Sequence, residues 1–259
     1  MSITNAVTKM MTRQLEKLGY PTNDIRWSLG YCQGDGSSFS GPIDIKVHGP
    51  RLVPGISDQV WSSINCELEI VRSSSCRYVH ERSVDLNIDA KCVEFTDASE
   101  YGGVAQKVAL HKLVSALEVD IGQVALKNSA DGYKVLESYV SEDTRVWHFR
   151  TASFEVEVFT IRDSEHDPFD DDDVDRLDAI IKVILEGDMS IFGTKVVVSL
   201  LDAQGEVSSV LSEHFVWGTC CNPDDASLCG VRRDCVSEAI SEAREAYQKL
   251  LRPKLKAAA

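Results

Sequence analysis

Two stretches in which apolar and polar residues alternate, 25–32 and 37–47, flank Gln33-Gly34-Asp35-Gly36. Alternation with period two sends successive side chains to opposite faces of a strand, and Asp-Gly supplies the positive φ of a tight reversal. A β-hairpin is therefore predicted, and everything nearby has to pack against its apolar face, which carries Phe39, Ile43 and Ile45.

The surrounding pattern extends this into an α+β fold. Ile3, Val7, Met10, Met11, Leu15 and Leu18 recur at helical spacing before Gly19-Tyr20-Pro21, which predicts an opening helix over 3–18. A short helix at 57–64 and strands at 66–71, 77–81 and 84–95 complete a small antiparallel sheet. Val104, Val108, Leu113, Leu117, Ile121 and Val124 form one helical stripe, so a helix is predicted over 104–126, with a second short one from Gly132 to Val140. Beyond it come a long strand over 145–161, interrupted at 151–153, a helix over 173–185, and strands over 191–201 and 207–217 joined at Ala203-Gln204-Gly205. A closing helix runs through Val236, Ala239, Ile240, Ala243, Tyr247 and Leu250 behind an Asp234 N-cap. The expected architecture is antiparallel sheets with flanking helices, in two sequential α+β modules, 1–142 and 143–259, that are free to share one core.

Composition narrows the function. With 259 residues and 43% apolar content the chain can bury a core, and its longest apolar runs fall far short of the roughly 20 residues of a membrane span. No basic leader with an apolar block opens it, so a cytoplasmic location is expected, and its eight cysteines are expected as reduced thiols rather than a disulfide framework. A formal charge of −14 repels nucleic-acid phosphates and anionic membranes, which leaves a protein with a basic surface as the expected partner, with homodimer formation open.

Several motifs bear on chemistry. Gly34-Asp35-Gly36 is not a dinucleotide loop, because Phe39 stands where the third glycine belongs and a strand follows. Gln33 and Asp35 either cap the turn or face a partner. An enzymatic alternative is a small hydrolase or nuclease in which Asp35 orients His80 as a general base beside Glu81. Cys220, Cys221, Cys229 and Cys235 are spaced unlike a zinc site, and Cys66, Cys76, His80 and Cys92 lie on predicted strands, so neither metal nor cofactor is expected. From Asp163 to Asp178 nine of sixteen positions are acidic, including Asp167, Asp170, Asp171, Asp172, Asp173 and Asp175. A calcium loop starting at Asp171 fails, since Arg176 and Lys182 occupy the positions of its Gly and Glu. An extended acidic segment rises about 3.3 Å per residue, near the roughly 3.4 Å per phosphate of a DNA strand, so the run can imitate a fragment of nucleic acid.

Ser28 to Gly36 with Phe39 and Gly41, followed by Arg77-Tyr78-Val79-His80-Glu81, resembles a family of small proteins from phages and mobile elements that share a CQGDGxSFxG hairpin motif, some of which carry an antitoxin label. Phe149-Arg150-Thr151, Phe154, Phe192, the turn at Leu201 to Gly205, and Trp217-Gly218 resemble a related phage pattern. Where that family has an aromatic residue or Asn after its His, this chain has Glu81 and Arg82. The resemblance implies a bacterial cytosol during infection and an accessory role. With the charge, it leads to the expectation of a non-enzymatic, anti-defence inhibitor that binds a host defence or nucleic-acid-handling protein through acidic surface at Gln33, Asp35 and the 163–178 segment. An antitoxin is the further alternative.

Overall fold

The computed structural model describes residues 2–73, 75, 77–78, 80, 85–87, 103–170 and 173–251. They form the α+β fold with antiparallel sheets and flanking helices, the sheets ordered β1-β2-β3-β4 and β5-β6-β7-β8. The chain divides into two units, Val7–Tyr133 and Lys134 onward with the first six residues, so the division falls inside a helix rather than after residue 142. No helix among the described residues is long and apolar enough to cross a membrane.

In the first unit, α1 (Ser2–Leu18) buries Val7, Met10, Met11 and Leu15 completely, a single stripe of the helix. β1 (Asp24–Ser28) pairs antiparallel with β2 (Gly36–Ile43) in the register Trp27↔Ser37 and Ser28↔Gly36. Both strands are shorter than their alternation predicts. β2 stops at Ile43 because Asp44 caps α2 (Ile45–Leu52), its carboxylate accepting the Lys46 N–H at 2.8 Å. Ile45 and Val47 thus belong to a helix; an Ile-x-Val fragment reads the same in a strand and in a first helical turn. α2 is tied down by a polar chain that starts at the buried His48: His48 Nε2 donates to the Gly19 carbonyl at 2.9 Å, Arg51 reaches His48 Nδ1, and Arg51 pairs with Asp120 at 2.8 Å.

α3 (Asp58–Ser63) sets Trp61 in the core with Phe39, Leu68 and Ile70, and β3 (Glu67–Ile70) pairs with β2 and with β4 (Asp85–Asn87). Arg77 and Tyr78 form a turn, not the strand predicted for 77–81; Val79, Glu81 and most of 84–95 lie outside the described residues. α4 (Val104–Ser138) contributes Leu113, Leu117 and Ile121 to the same core and continues unbroken through Gly132, where the sequence suggested a new start. A Cβ at Gly132 would stand 2.5 Å from Leu29 Cδ1 and 3.1 Å from Met11 Cε. The glycine is there for close packing inside a helix, not for a break.

The second unit is built on a four-stranded meander covered on one face. β5 (Thr144–Arg150) and β6 (Phe154–Ile161) are joined by the expected interruption at 151–153, where Thr151 Oγ1 accepts the Phe154 N–H at 2.9 Å. α5 (Val174–Glu186) then leads to β7 (Ser190–Leu201) and β8 (Val207–Cys221). Val156, Val158, Phe192, Val196 and Val198 meet Ala239 and Ala243 of α6 (Val231–Leu251), whose small side chains admit the sheet closely enough for Ser212 Oγ to donate to the Ala239 carbonyl at 2.7 Å. β8 reaches Cys221, beyond the 207–217 predicted, so Cys220 and Cys221 lie on the strand. α6 starts at Val231, which puts Asp234 in its first turn, where a carboxylate favours the positive end of the helix, rather than at the N-cap.

Candidate functional site

β1 and β2 are joined by residues 29–35, a longer loop than a tight hairpin, and Asp35 organises it. Its carboxylate accepts from Gly30 N–H at 2.8 Å, Cys32 N–H at 2.9 Å, the Cys32 thiol at 3.2 Å, Ser28 Oγ at 3.3 Å and the Tyr133 hydroxyl. The Tyr133 hydrogen bond, followed by the Cys32 N–H, holds the Asp35 carboxyl well below the usual carboxylate range. The same bond raises Tyr133, and Asp35 raises the Cys32 thiol. Tyr31 is carried at φ 55, 70% exposed, with its ring 4.4 Å from that of Tyr133. Gln33 is exposed at the tip.

His80 is engaged elsewhere. Its Nε2 donates to the Phe39 carbonyl at 3.0 Å and its ring meets the Phe39 ring edge-on at 5.4 Å, while burial pushes its pKa down. Phe39 stands three residues along β2 from Gly36, about 10 Å of strand. Asp35 and His80 share no hydrogen bond or ion pair among the described residues, and Glu81 lies outside them. The structure therefore does not bring the proposed general base to its orienting carboxylate, and the Asp35 carboxylate is already occupied by donors of its own loop.

The acidic segment is partly structural as well. Asp163 is buried and accepts from Glu165 N–H at 3.2 Å, His166 N–H at 3.1 Å and Gly218 N–H at 2.7 Å. Asp167 accepts the Phe169 N–H at 3.0 Å, which fixes the turn that buries Phe169. Asp173 caps α5, accepting from Asp175 and Arg176 N–H. Glu165, Asp170 and Asp175 stand on the exposed surface, and Asp171 and Asp172 lie outside the described residues.

Beside this segment runs a cleft of ≈ 670 Å³ lined by Arg162, Ser164, Glu165, His166, Trp217 and Gly218. Gly218 sits at φ +71, and a Cβ there would fall 2.9 Å from His166 Nδ1, so only glycine lets the His166 ring lie against β8. Trp217 is 58% exposed and stacks parallel to Phe215 at 6.1 Å; Lys195 Nζ stands 5.4 Å over the Phe215 ring and pairs with Glu213 at 2.7 Å. Sequence inspection passed over this cleft. Its available signal was Phe215 and Trp217 at strand spacing, two large aromatics on one face of β8 whose neighbour on that face is the charged Glu213.

The thiols of the second unit gather near the end of β8, with Cys221 and Cys235 buried and Cys229 exposed. Among the described residues no three His, Cys, Asp or Glu side chains are grouped so as to hold a metal ion. No family model, curated protein or solved structure matches the chain.

Proposed function

We propose that this chain is a non-enzymatic accessory protein of the phage type, which binds and blocks a basic host defence or nucleic-acid-handling protein through the acidic surface of its second unit. The supporting observation is where the charge resides. Residues 134–259 hold 25 of the 41 acidic and 14 of the 27 basic residues, a net −11 of the chain's −14, and the 163–178 segment alone holds nine acidic residues against one Arg. Turn and cap duties of Asp163, Asp167 and Asp173 fix the backbone around them, so the exposed carboxylates of Glu165, Asp170 and Asp175 are presented from a determined frame. A preorganised acidic surface steers a cationic partner and loses less entropy on docking.

The test is affinity capture from a bacterial lysate by the whole chain and by a Glu165→Gln, Asp170→Asn, Asp175→Asn variant. Exposed charges contribute about 0.2–1 kcal/mol each, so the triple variant should hold its partner roughly tenfold more weakly, and added salt should erase the difference. The captured protein should also lose its hold on nucleic acid when the chain is present. Capture unaffected by the three substitutions and by salt would overturn the proposal.

A further inference from the structure

β8 ends on Cys220-Cys221, and the loop that follows folds back to bring Cys229 over the same peptide. The Cys229 thiol lies 3.8 Å from the Cys220 carbonyl oxygen, over the peptide that joins Cys220 to Cys221. Two features hold it there. Asp225 accepts from Ser227 N–H at 2.8 Å, Ser227 Oγ at 2.7 Å and Cys229 N–H at 2.7 Å, which pins the loop from inside. Leu228, Cys229 and Gly230 are three successive residues in the left-handed region, at φ 53, 54 and 85, a conformation that disfavours side chains at the first two. Leu228 is buried beside Cys221 and Cys235 in the core of the unit, which anchors the strained turn and leaves Cys229 exposed above it.

An accessible thiol held over the peptide of a neighbouring buried one is the arrangement of an attacking and a resolving cysteine. We propose that Cys229 is a site of thiol–disulfide exchange with small disulfides such as oxidised glutathione, and that Cys221 resolves the product into a Cys221–Cys229 cross-link. The Cys229 thiolate attacks one sulfur of the incoming disulfide, whose S–S bond breaks, and one thiolate leaves. The Cys221 thiolate then attacks Cys229 Sγ and expels the second. Both protein thiols are oxidised, the small disulfide is reduced to two thiols, and the two protons pass to the departing thiolates. Burial, with Cys229 and Asp225 nearby, pushes the Cys221 thiol up to about 12, so the second step is the slow one at neutral pH and accelerates as pH rises. Burial likewise pushes Cys220 up to about 11.

The intact reduced chain is incubated with oxidised glutathione and followed by mass spectrometry with peptide mapping. A glutathione adduct on Cys229 should form first and convert to a chain lighter by two hydrogens, joined between Cys221 and Cys229. Cys221→Ser should stop at the adduct, Cys229→Ser should give neither product, and Cys220→Ser should behave as the parent chain. A cross-link through Cys220 instead, or a Cys221→Ser chain that carries no adduct on Cys229, overturns the assignment. Should a variant fail to fold, timed alkylation of the unaltered native chain decides: Cys229 should label about tenfold faster than Cys221, and equal labelling overturns the proposal.

Discussion

Asp35→Asn keeps the shape of the side chain at the hairpin tip but exchanges an acceptor oxygen for a group that can only donate. Gly30 N–H, Cys32 N–H and the Tyr133 hydroxyl, all held by one carboxylate oxygen, then compete for fewer lone pairs. The tip should loosen, and the tyrosine signal in near-ultraviolet circular dichroism from the Tyr31–Tyr133 stack should fall. A pH dependence accompanies it. Because folding lowers the Asp35 pKa, the folded chain binds fewer protons there than the unfolded one; the contribution is present above about pH 4 and is lost as pH falls toward the folded value. Urea midpoints of the parent chain should therefore drop more steeply in acid than those of Asp35→Asn, and parallel curves would refute this role. Asp35 was legible as a turn residue from Asp-Gly alone. Its strongest partner was not, since Tyr133 lies 98 residues away and no local pattern connects the two.

Helix α4 contains two glycines with opposite expectations. Nothing lies within 4 Å of a Cβ placed on Gly122, whereas one on Gly132 would stand 2.5 Å from Leu29 Cδ1. Glycine inside a helix costs about 1 kcal/mol relative to alanine, so Gly122→Ala should stabilise the fold by about that amount. At Gly132 the same propensity gain is opposed by an overpacking cost of about 1–3 kcal/mol, with Leu29 buried and Met11 fully enclosed, so Gly132→Ala should be net destabilising by about 1 kcal/mol. Urea denaturation of the two variants checks the sign of each; a stabilised Gly132→Ala would mean that the Leu29 side chain moves aside freely. The pair also explains what sequence patterns could and could not resolve among the elements. Long amphipathic stripes such as α1, α4 and α6 were legible because buried residues recur along them. Breaks were not: glycine ends a helix or permits close packing, and the partner that decides, here Leu29, belongs to another element. The short α2 was missed for a related reason, since its apolar residues are too few to distinguish a helical from a strand period.

At the scale of the whole molecule the decisive quantity is the −11 carried by residues 134–259. Carboxylates repel one another in the folded unit more than in an expanded chain, and in dilute salt this repulsion is screened over roughly 30 Å only. Opposing it are exposed ion pairs, Arg145 with Glu157 at 2.6 Å and Lys195 with Glu213 at 2.7 Å, which contribute no more than about 1 kcal/mol each and weaken in salt. They neutralise the sheet face that carries Phe215 and leave the 163–178 segment with its excess. Repulsion should therefore win at low ionic strength. The melting temperature should rise as sodium chloride increases from about 0.01 M to about 0.5 M, while affinity for a basic partner falls over the same range. Both trends come from one source, so they should also weaken together in the Glu165→Gln, Asp170→Asn, Asp175→Asn variant. A melting temperature indifferent to salt would mean that the carboxylates are compensated locally, and a surface with no unbalanced charge has no means of selecting a cationic protein.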